Sequence, residues 1–379
     1  MEGFFPTALA KIDVRWQTAC MNRFLPNIAA SAFALALPAF AQDEPESAPS
    51  PNQIVEMADP EEWAEIAAEN LLVMTLAPDR EGNPRKVVIQ LMPEPFSQGW
   101  VENIRTLARA NWYDGISVNR VQDNYVVQWG DPNYDNPESG ETEPKPLPEG
   151  LKVMGEDEYS VTSGTSQYAT LRNTMLADFI RMLPADHQDV LIDEQGQVDA
   201  SQLDQFAPLF RVDDSYSDGA YWTSGWPVSF KDDSVSPTHC YGMVGVGRNY
   251  SPDTGSGAEL YTVIGHAPRH LDRNIALVGR VIEGMEHLSS LPRGSGTLGF
   301  YTEEEADKRT PIRSIRVAAE LPEGKQPAYE YLSTESETFA RYAEARANRR
   351  DPFFIVPAGG ADICNIPVPI RAVEPGPAD

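Results

Sequence analysis

Cysteine and histidine are scarce in this sequence, with three and five copies in 379 residues. The histidines are dispersed, so no group of them has the spacing of a metal site. Phosphate-binding glycine loops and G-x-S-x-G nucleophile elbows are missing, and with them the usual signs of nucleotide chemistry and of serine hydrolases. Basic residues are outnumbered, 30 Lys and Arg against 57 Asp and Glu, for a formal net charge of −27. A surface of that sign, without a basic stripe to release counterions, discounts nucleic acid and anionic membrane surfaces as partners.

No apolar run reaches the roughly 20 residues needed to span a bilayer. The run that comes nearest lies in MNRFLPNIAASAFALALPAFAQ, which starts at Met21 and has a short basic end, an apolar stretch over about 28–40 and a small-x-small ending at Ala39 and Ala41. That is the grammar of a secretory signal peptide rather than an anchor, so residues 1–41 are expected to be removed, with Met21 a candidate start. A lipid anchor on Cys20 does not fit, because the apolar run follows that cysteine. The stretch 42–55, rich in acid, proline and serine, reads as a disordered leader.

Cleavage would leave Cys240 and Cys364. In an exported chain they form either one disulfide, the expected state, or two buried thiols. A bridge would close a loop of about 120 residues, contribute roughly 4–5 kcal/mol on the chain-entropy model, and tie the C-terminal extension, 323–379, to the body.

Short strands with Gly and Pro punctuation dominate the remainder. LLVMTL (71–76) and VVIQLM (87–92) flank a turn and predict a hairpin, and WVENIRTLARA predicts a helix with Val101, Ile104, Leu107 and Ala108 on one face. Further strands are expected at 116–118, 125–129, 259–264, 274–281 and 312–317, and a helix at 169–183. A last helix, 335–350, would open on a capping box of Thr334 and Glu337 and end on Arg346, Arg349 and Arg350, which complement its dipole rather than form a binding patch.

One stretch stands apart. NWYDGISVNRVQDNYVVQWGDP, 111–132, sets Arg120 among two tyrosines, two tryptophans and four valines. YDGISVNRVQDNYVVQWGDP resembles the signature of the cyclophilins, a Y-D-G turn and a strand ending in F-H-R, followed by F-x-x-Q-G-G-D-P. VVIQLMPEPFSQGWVENIRTLARANWYDG is similar to the strand, turn and helix that carry that family's V-E-N-F. GSGAELYTVIGHAPRHLDRNIALVGRVIEGMEHL resembles its G-S-Q-F-F-I segment, L-D-G turn and F-G-x-V-x-x-G-M block. The resemblance covers 65–132 and 240–318 within a domain read as 56–322, and leaves an insertion, 133–239, unexplained.

The resemblance implies a mainly β fold, a closed eight-stranded antiparallel barrel capped by helices. It implies peptidyl-prolyl cis-trans isomerisation on proline-containing polypeptides, a rotation that needs no cofactor, nucleophile or metal. Arg120 stands at the place of the family's catalytic arginine, with a barrel-bracing arginine as the alternative. Tyr125, Val126, Gln128, Glu259, Tyr261, His270 and Leu271 occupy substrate-binding places, although core packing would also suit the two tyrosines. Departures are Asn119 for a histidine, Glu259 for a glutamine, His270 for a tryptophan and Ile275 for a histidine. Glu259 could pair with Arg120 and compete with substrate. The expected function is therefore a periplasmic or secreted isomerase assisting the folding of exported proteins; the alternative is an attenuated binding or chaperone module that acts through its insertion.

Two motifs are set aside. DTGSG at 253–257 spells the aspartic-protease motif but lacks the apolar lead-in strand and a second copy. Asp131, Asp135, Glu138 and Glu141 lack the spacing of a calcium loop and read as a solvated acidic turn.

Overall fold

The computed structural model describes residues 47–131, 144–173 and 214–373. The expected signal peptide, Asp135, Glu138, Glu141 and the part of the 169–183 helix beyond 173 lie outside the described residues. Fifteen strands in three sheets, numbered β1–β15 in chain order, organise the rest.

Eight strands close a barrel: β2 (Leu71–Leu76), β3 (Arg85–Leu91), β4 (Ser117–Val121), β5 (Val126–Gly130), β10 (Met243–Val246), β11 (Leu260–Val263), β12 (Leu277–Glu283) and β13 (Thr310–Val317). Their order round the barrel is β10-β11-β5-β4-β13-β2-β3-β12, and every pairing is antiparallel. The expected hairpin is β2–β3, in register from Leu71 opposite Gln90 to Leu76 opposite Arg85. Alternation on each strand sends one set of side chains inward. Leu72, Met74, Leu76, Val87, Ile89, Leu91, Val127, Trp129 and Leu260 meet there in one core, joined by Trp100, Ile104 and Leu107 of helix α2 (Gln98–Arg109).

The other two sheets come from segments outside the barrel strands. β6 (Val161–Thr162), β7 (Gly219–Thr223), β8 (Trp226–Lys231) and β9 (Ser234–Pro237) form a four-stranded sheet in the order β6-β9-β8-β7. β1 (Trp63–Ile66), β14 (Tyr329–Leu332) and β15 (Ile370–Ala372) form a three-stranded one with β14 in the middle. A second apolar cluster joins them: Ile54 of helix α1 (Pro51–Glu56), Leu332, Ile366, and Phe339 and Tyr342 of the C-terminal helix, with Trp222 of β7 packed against these. The Trp222 and Phe339 rings meet edge to face, 5.3 Å between centroids. Cys240, just before β10, and Cys364 in the C-terminal extension are bonded, S–S 2.01 Å.

Two local expectations are corrected. The leader reading of 42–55 fails from residue 51 on, because Ser50 and Gln53 form a capping box and Ile54 is buried in the second cluster. The C-terminal helix runs Glu337–Ala347 and its cap is Ser336, whose hydroxyl accepts from the Phe339 N–H. Thr334 is diverted, its Oγ1 accepting from the Gly225 N–H of the β7–β8 turn. Arg346 donates to the Asn365 carbonyl, while Arg349 and Arg350 pair with Asp351 and Glu344. The α3 helix (Glu286–Ser289) is a single turn after β12, and the C-terminal helix is α4.

Phe339→Ala should lower the unfolding free energy by about 3–5 kcal/mol, as expected for a buried phenylalanine deletion. Equilibrium denaturation of the variant beside the unaltered chain measures this, and a loss under about 1 kcal/mol would mean that the second cluster carries little stability.

Candidate active site

The site is built from one row of residues crossing four strands on the outer face of the barrel. β4 and β5 fall out of regular register between Val118 and Arg120: Val118 lies opposite Trp129 and Arg120 opposite Gln128. Asn119 is thus the extra residue of a bulge, a device that re-aims side chains. Its amide turns inside, donating to the Gly130 carbonyl and accepting from Ser117 Oγ. Arg120 is thereby placed beside Gln128. The row continues through Tyr261 of β11, opposite Gln128, to Gly245 of β10, opposite Tyr261.

Arg120 is held at three points. Its Nη1 donates to Gln128 Oε1 (3.1 Å), its Nη2 to Gln122 Oε1 (2.5 Å) and its Nε to the Leu298 carbonyl (2.7 Å). The guanidinium also lies 5.6 Å from the Tyr125 ring centre and 5.4 Å from that of Phe300. Burial lowers its pKa from the usual arginine value, with Tyr125 and Tyr261 opposing; an arginine so shifted still carries its charge. Of five N–H donors, three are engaged, leaving two without a partner among the described residues.

Beside this fixed charge lies an apolar patch separate from the barrel core. Val126, Tyr261 and Val263 are buried in it, with Tyr125, Leu271 and Ile275 half-buried at its edge. His270 is exposed, and its ring stacks near that of Tyr125, 6.3 Å between centroids and 10° between planes. A charged donor fixed at the rim of an apolar wall suits a ligand with a small hydrophobic ring next to a polar amide.

The expected competition from Glu259 does not arise. Gln128 stands between, its Nε2 donating to Glu259 Oε2 at 3.3 Å while its Oε1 accepts from Arg120. Glu259 itself is buried over Gly130: a Cβ on that glycine would come within 1.8 Å of the carboxylate.

A scan of protein-family profiles matches residues 81–317, more than half of the chain, to the family described as "Cyclophilin type peptidyl-prolyl cis-trans isomerase/CLD". The chain belongs to this family. Among solved structures, cyclophilin AquaCyp293 from Hirschia baltica is similar over 82% of this chain and 93% of its own, at 18% identity and a TM-score of 0.53. A cyclophilin-type peptidyl-prolyl cis-trans isomerase from Cryptosporidium parvum, solved in the presence of the dipeptide Ala-Pro, covers 65% of this chain and 98% of its own, at 10% identity and a TM-score of 0.31. A search of curated protein sequences returned no match.

Within this cyclophilin, all eight site residues named from the sequence lie on or beside the row: Arg120, Tyr125, Val126, Gln128, Glu259, Tyr261, His270 and Leu271. Sequence reasoning missed the residues that hold them. Gln122, Leu298 and Phe300 fix Arg120, and His239 and Asp272 sit behind Tyr261. The glycine-rich GSGTLGF after Arg293 was a signal for a loop that approaches other backbone closely. Gly299 shows why, with φ +83° and Gln122 Cα 2.7 Å from where a Cβ would be. The DTGSG turn is structural: Asp253 caps the Gly255 N–H and Thr254 donates to the Met154 carbonyl.

The loop that brings Leu298 to Arg120 is tied by Glu305. Its carboxylate accepts from Lys308 Nζ (2.5 Å) and from the Ser295 (2.9 Å) and Thr302 (3.3 Å) N–H groups. The Lys308 ammonium and the Ser295 N–H pull its pKa down to about 2. A carboxyl with a depressed folded-state pKa stabilises fully above its unfolded value, about 4.3, and loses that contribution as pH falls toward the folded value. Thermal midpoints of the unaltered chain should exceed those of Glu305→Gln by a constant margin above about pH 5, with the margin closing toward about pH 2. A margin independent of pH would contradict the assignment.

Proposed function

We propose that this cyclophilin catalyses rotation about Xaa-Pro bonds at the outer-face site, with Arg120 as the group that stabilises the twisted amide. The observation that carries this is the guanidinium fixed at three points with donors to spare, next to an apolar wall. The barrier to rotation is about 18–20 kcal/mol because the planar amide is stabilised by resonance. At the twisted geometry that resonance is lost and the amide nitrogen regains a lone pair that can accept a hydrogen bond. A fixed cationic donor binds this state better than either planar isomer, which is the condition for a faster step. No bond to carbon is made or broken.

In this reading Tyr125, Val126, Tyr261 and Leu271 grip the proline ring, His270 extends the wall past Tyr125, and Gln128 orients Arg120. Glu259 acts at one remove by fixing the Gln128 amide, so that its oxygen faces the guanidinium. Clients are proline-containing polypeptides.

We further infer that the protein works outside the cytoplasm on exported clients. The Cys240–Cys364 bond supports this, since disulfides persist in oxidising compartments, as does the signal-peptide grammar of 21–41. N-terminal sequencing of protein recovered from the envelope of an expressing bacterium should begin at Gln42; recovery of uncleaved chain from the cytoplasm would contradict export.

Exchange of a short Xaa-Pro peptide between cis and trans, followed by NMR, tests the catalytic reading. The unaltered chain should accelerate it, and Arg120→Ala should reduce kcat/KM by about 10²-fold or more, the scale of losing a transition-state donor. No acceleration by folded protein, with client binding lost only on deletion of the 133–239 insertion, would instead favour a binding module.

A further inference from the structure

The wall residue Tyr261 differs from a plain aromatic in having a hydroxyl, and that hydroxyl is bonded to a buried side chain. It lies 3.0 Å from Nε2 of His239. Nδ1 of the same ring lies 2.8 Å from Asp272 Oδ1, which also accepts the His239 backbone N–H at 2.8 Å. Asp272 Oδ2 accepts from Arg269 Nε at 2.6 Å, and Arg269 Nη2 donates to Asp214 at 2.5 Å. Asp362, two residues from the bonded Cys364, lies 3.9 Å from Arg269 Nη1. Tyr261, His239, Asp272 and Arg269 are all buried.

Donor roles follow from the ends of the chain. The Asp272 carboxylate can only accept, so His239 Nδ1 carries the proton and Nε2 accepts from the phenol. Burial, then Tyr125 and Asp272, push the Tyr261 pKa well above the ordinary value, which keeps it a donor.

The ring itself needs such an anchor. Its neighbour in the row is Gly245, where a Cβ would come within 2.3 Å of the ring. The tip of the tyrosine therefore lies over bare backbone, where residue 245 offers no side chain to set its plane. The hydrogen bond at its tip performs that task, and the nearly parallel His239 ring, 10° away in plane and 6.4 Å between centroids, lies alongside.

We propose that His239, oriented by Asp272, is a positioning residue for isomerisation: it fixes the plane of the Tyr261 ring that walls the proline pocket. Through Arg269 it also ties that wall to Asp214, which precedes β7, and to Asp362 of the C-terminal extension. The proposal rests on the reading of Tyr261 as a pocket wall.

The test uses the full chain and one Xaa-Pro peptide at several concentrations, with NMR exchange giving KM and kcat separately. Near-UV circular dichroism checks folding. Tyr261→Phe keeps the ring and deletes the bond. His239→Asn keeps a donor toward Asp272 but falls short of Tyr261, whereas the longer amide of His239→Gln reaches the phenol. Tyr261→Phe and His239→Asn should each lower kcat/KM about 3- to 10-fold, mainly through KM, the range of one net hydrogen bond. His239→Gln should recover to within about two-fold, and His239→Asn should add nothing further in the Tyr261→Phe background.

Full activity in Tyr261→Phe overturns the proposal, and so does an undiminished effect of His239→Asn in that background. If His239→Asn does not fold, Tyr261→Phe and His239→Gln decide the matter alone. Arg120→Ala in the same assay separates the two levels: an active Arg120→Ala means that the site reading has failed, whereas an inactive one beside a fully active Tyr261→Phe means that only the positioning role has.

Discussion

The inside of an eight-stranded barrel is just wide enough for its own side chains, and here Trp129, Leu72, Ile89 and their neighbours fill it. The Arg120 row accordingly stands on the outer face, where a strand offers only every second residue. Regular alternation would put position 120 opposite 127 rather than 128. The bulge at Asn119 removes that difficulty by absorbing one residue, so that an arginine and a glutamine come to neighbour each other on the outside while Trp129 stays within. The cost of the irregular ladder is limited by the Asn119 amide, which bonds across the gap to Gly130.

Much of this was legible in the sequence because the information is local. The hairpin 71–91, helix α2 and the strands around Arg120 each show their period within a dozen residues, and the Y-D-G turn and its glutamine sit at fixed offsets from the arginine. The pairing of Glu259 was not legible for a reason that local patterns do not carry: Gln128 of another strand stands between it and Arg120, and its carboxylate lies over Gly130. The same holds for Thr334. As a string, Thr-x-x-Glu reads as a cap, but a turn 109 residues earlier in the chain claims its hydroxyl, and Ser336 takes over. Leu298 could not be found at all from side-chain chemistry, since it contributes a backbone carbonyl.

Two buried arginines outside the Arg120 row differ in how they are held. Arg280 is fully buried and its pKa is lowered to about 9 by desolvation; it stacks on Trp226 at 4.2 Å and donates to the Gly225 carbonyl and to Gln90. It thus pins the β7–β8 turn to the barrel. Arg269, by contrast, is flanked by two carboxylates at short range. Each arginine thus ties a segment outside the barrel strands through directed hydrogen bonds, Arg280 to the Gly225 carbonyl and Arg269 to Asp214.

The three-stranded sheet has a temporal side. Its first strand pairs Trp63 with Leu332, and its third pairs Tyr329 with Ala372. All barrel strands lie between these in the chain, the last ending at Val317. A chain emerging from its N-terminus can therefore close the whole barrel while β1 still has no neighbour, and the Ile54 cluster can assemble only when the final segment arrives. Completion of the outer layer thus waits on residues 329–372, and a molecule cut short after the barrel would expose the apolar face of β1 and α1 that the C-terminal strands and helix normally cover.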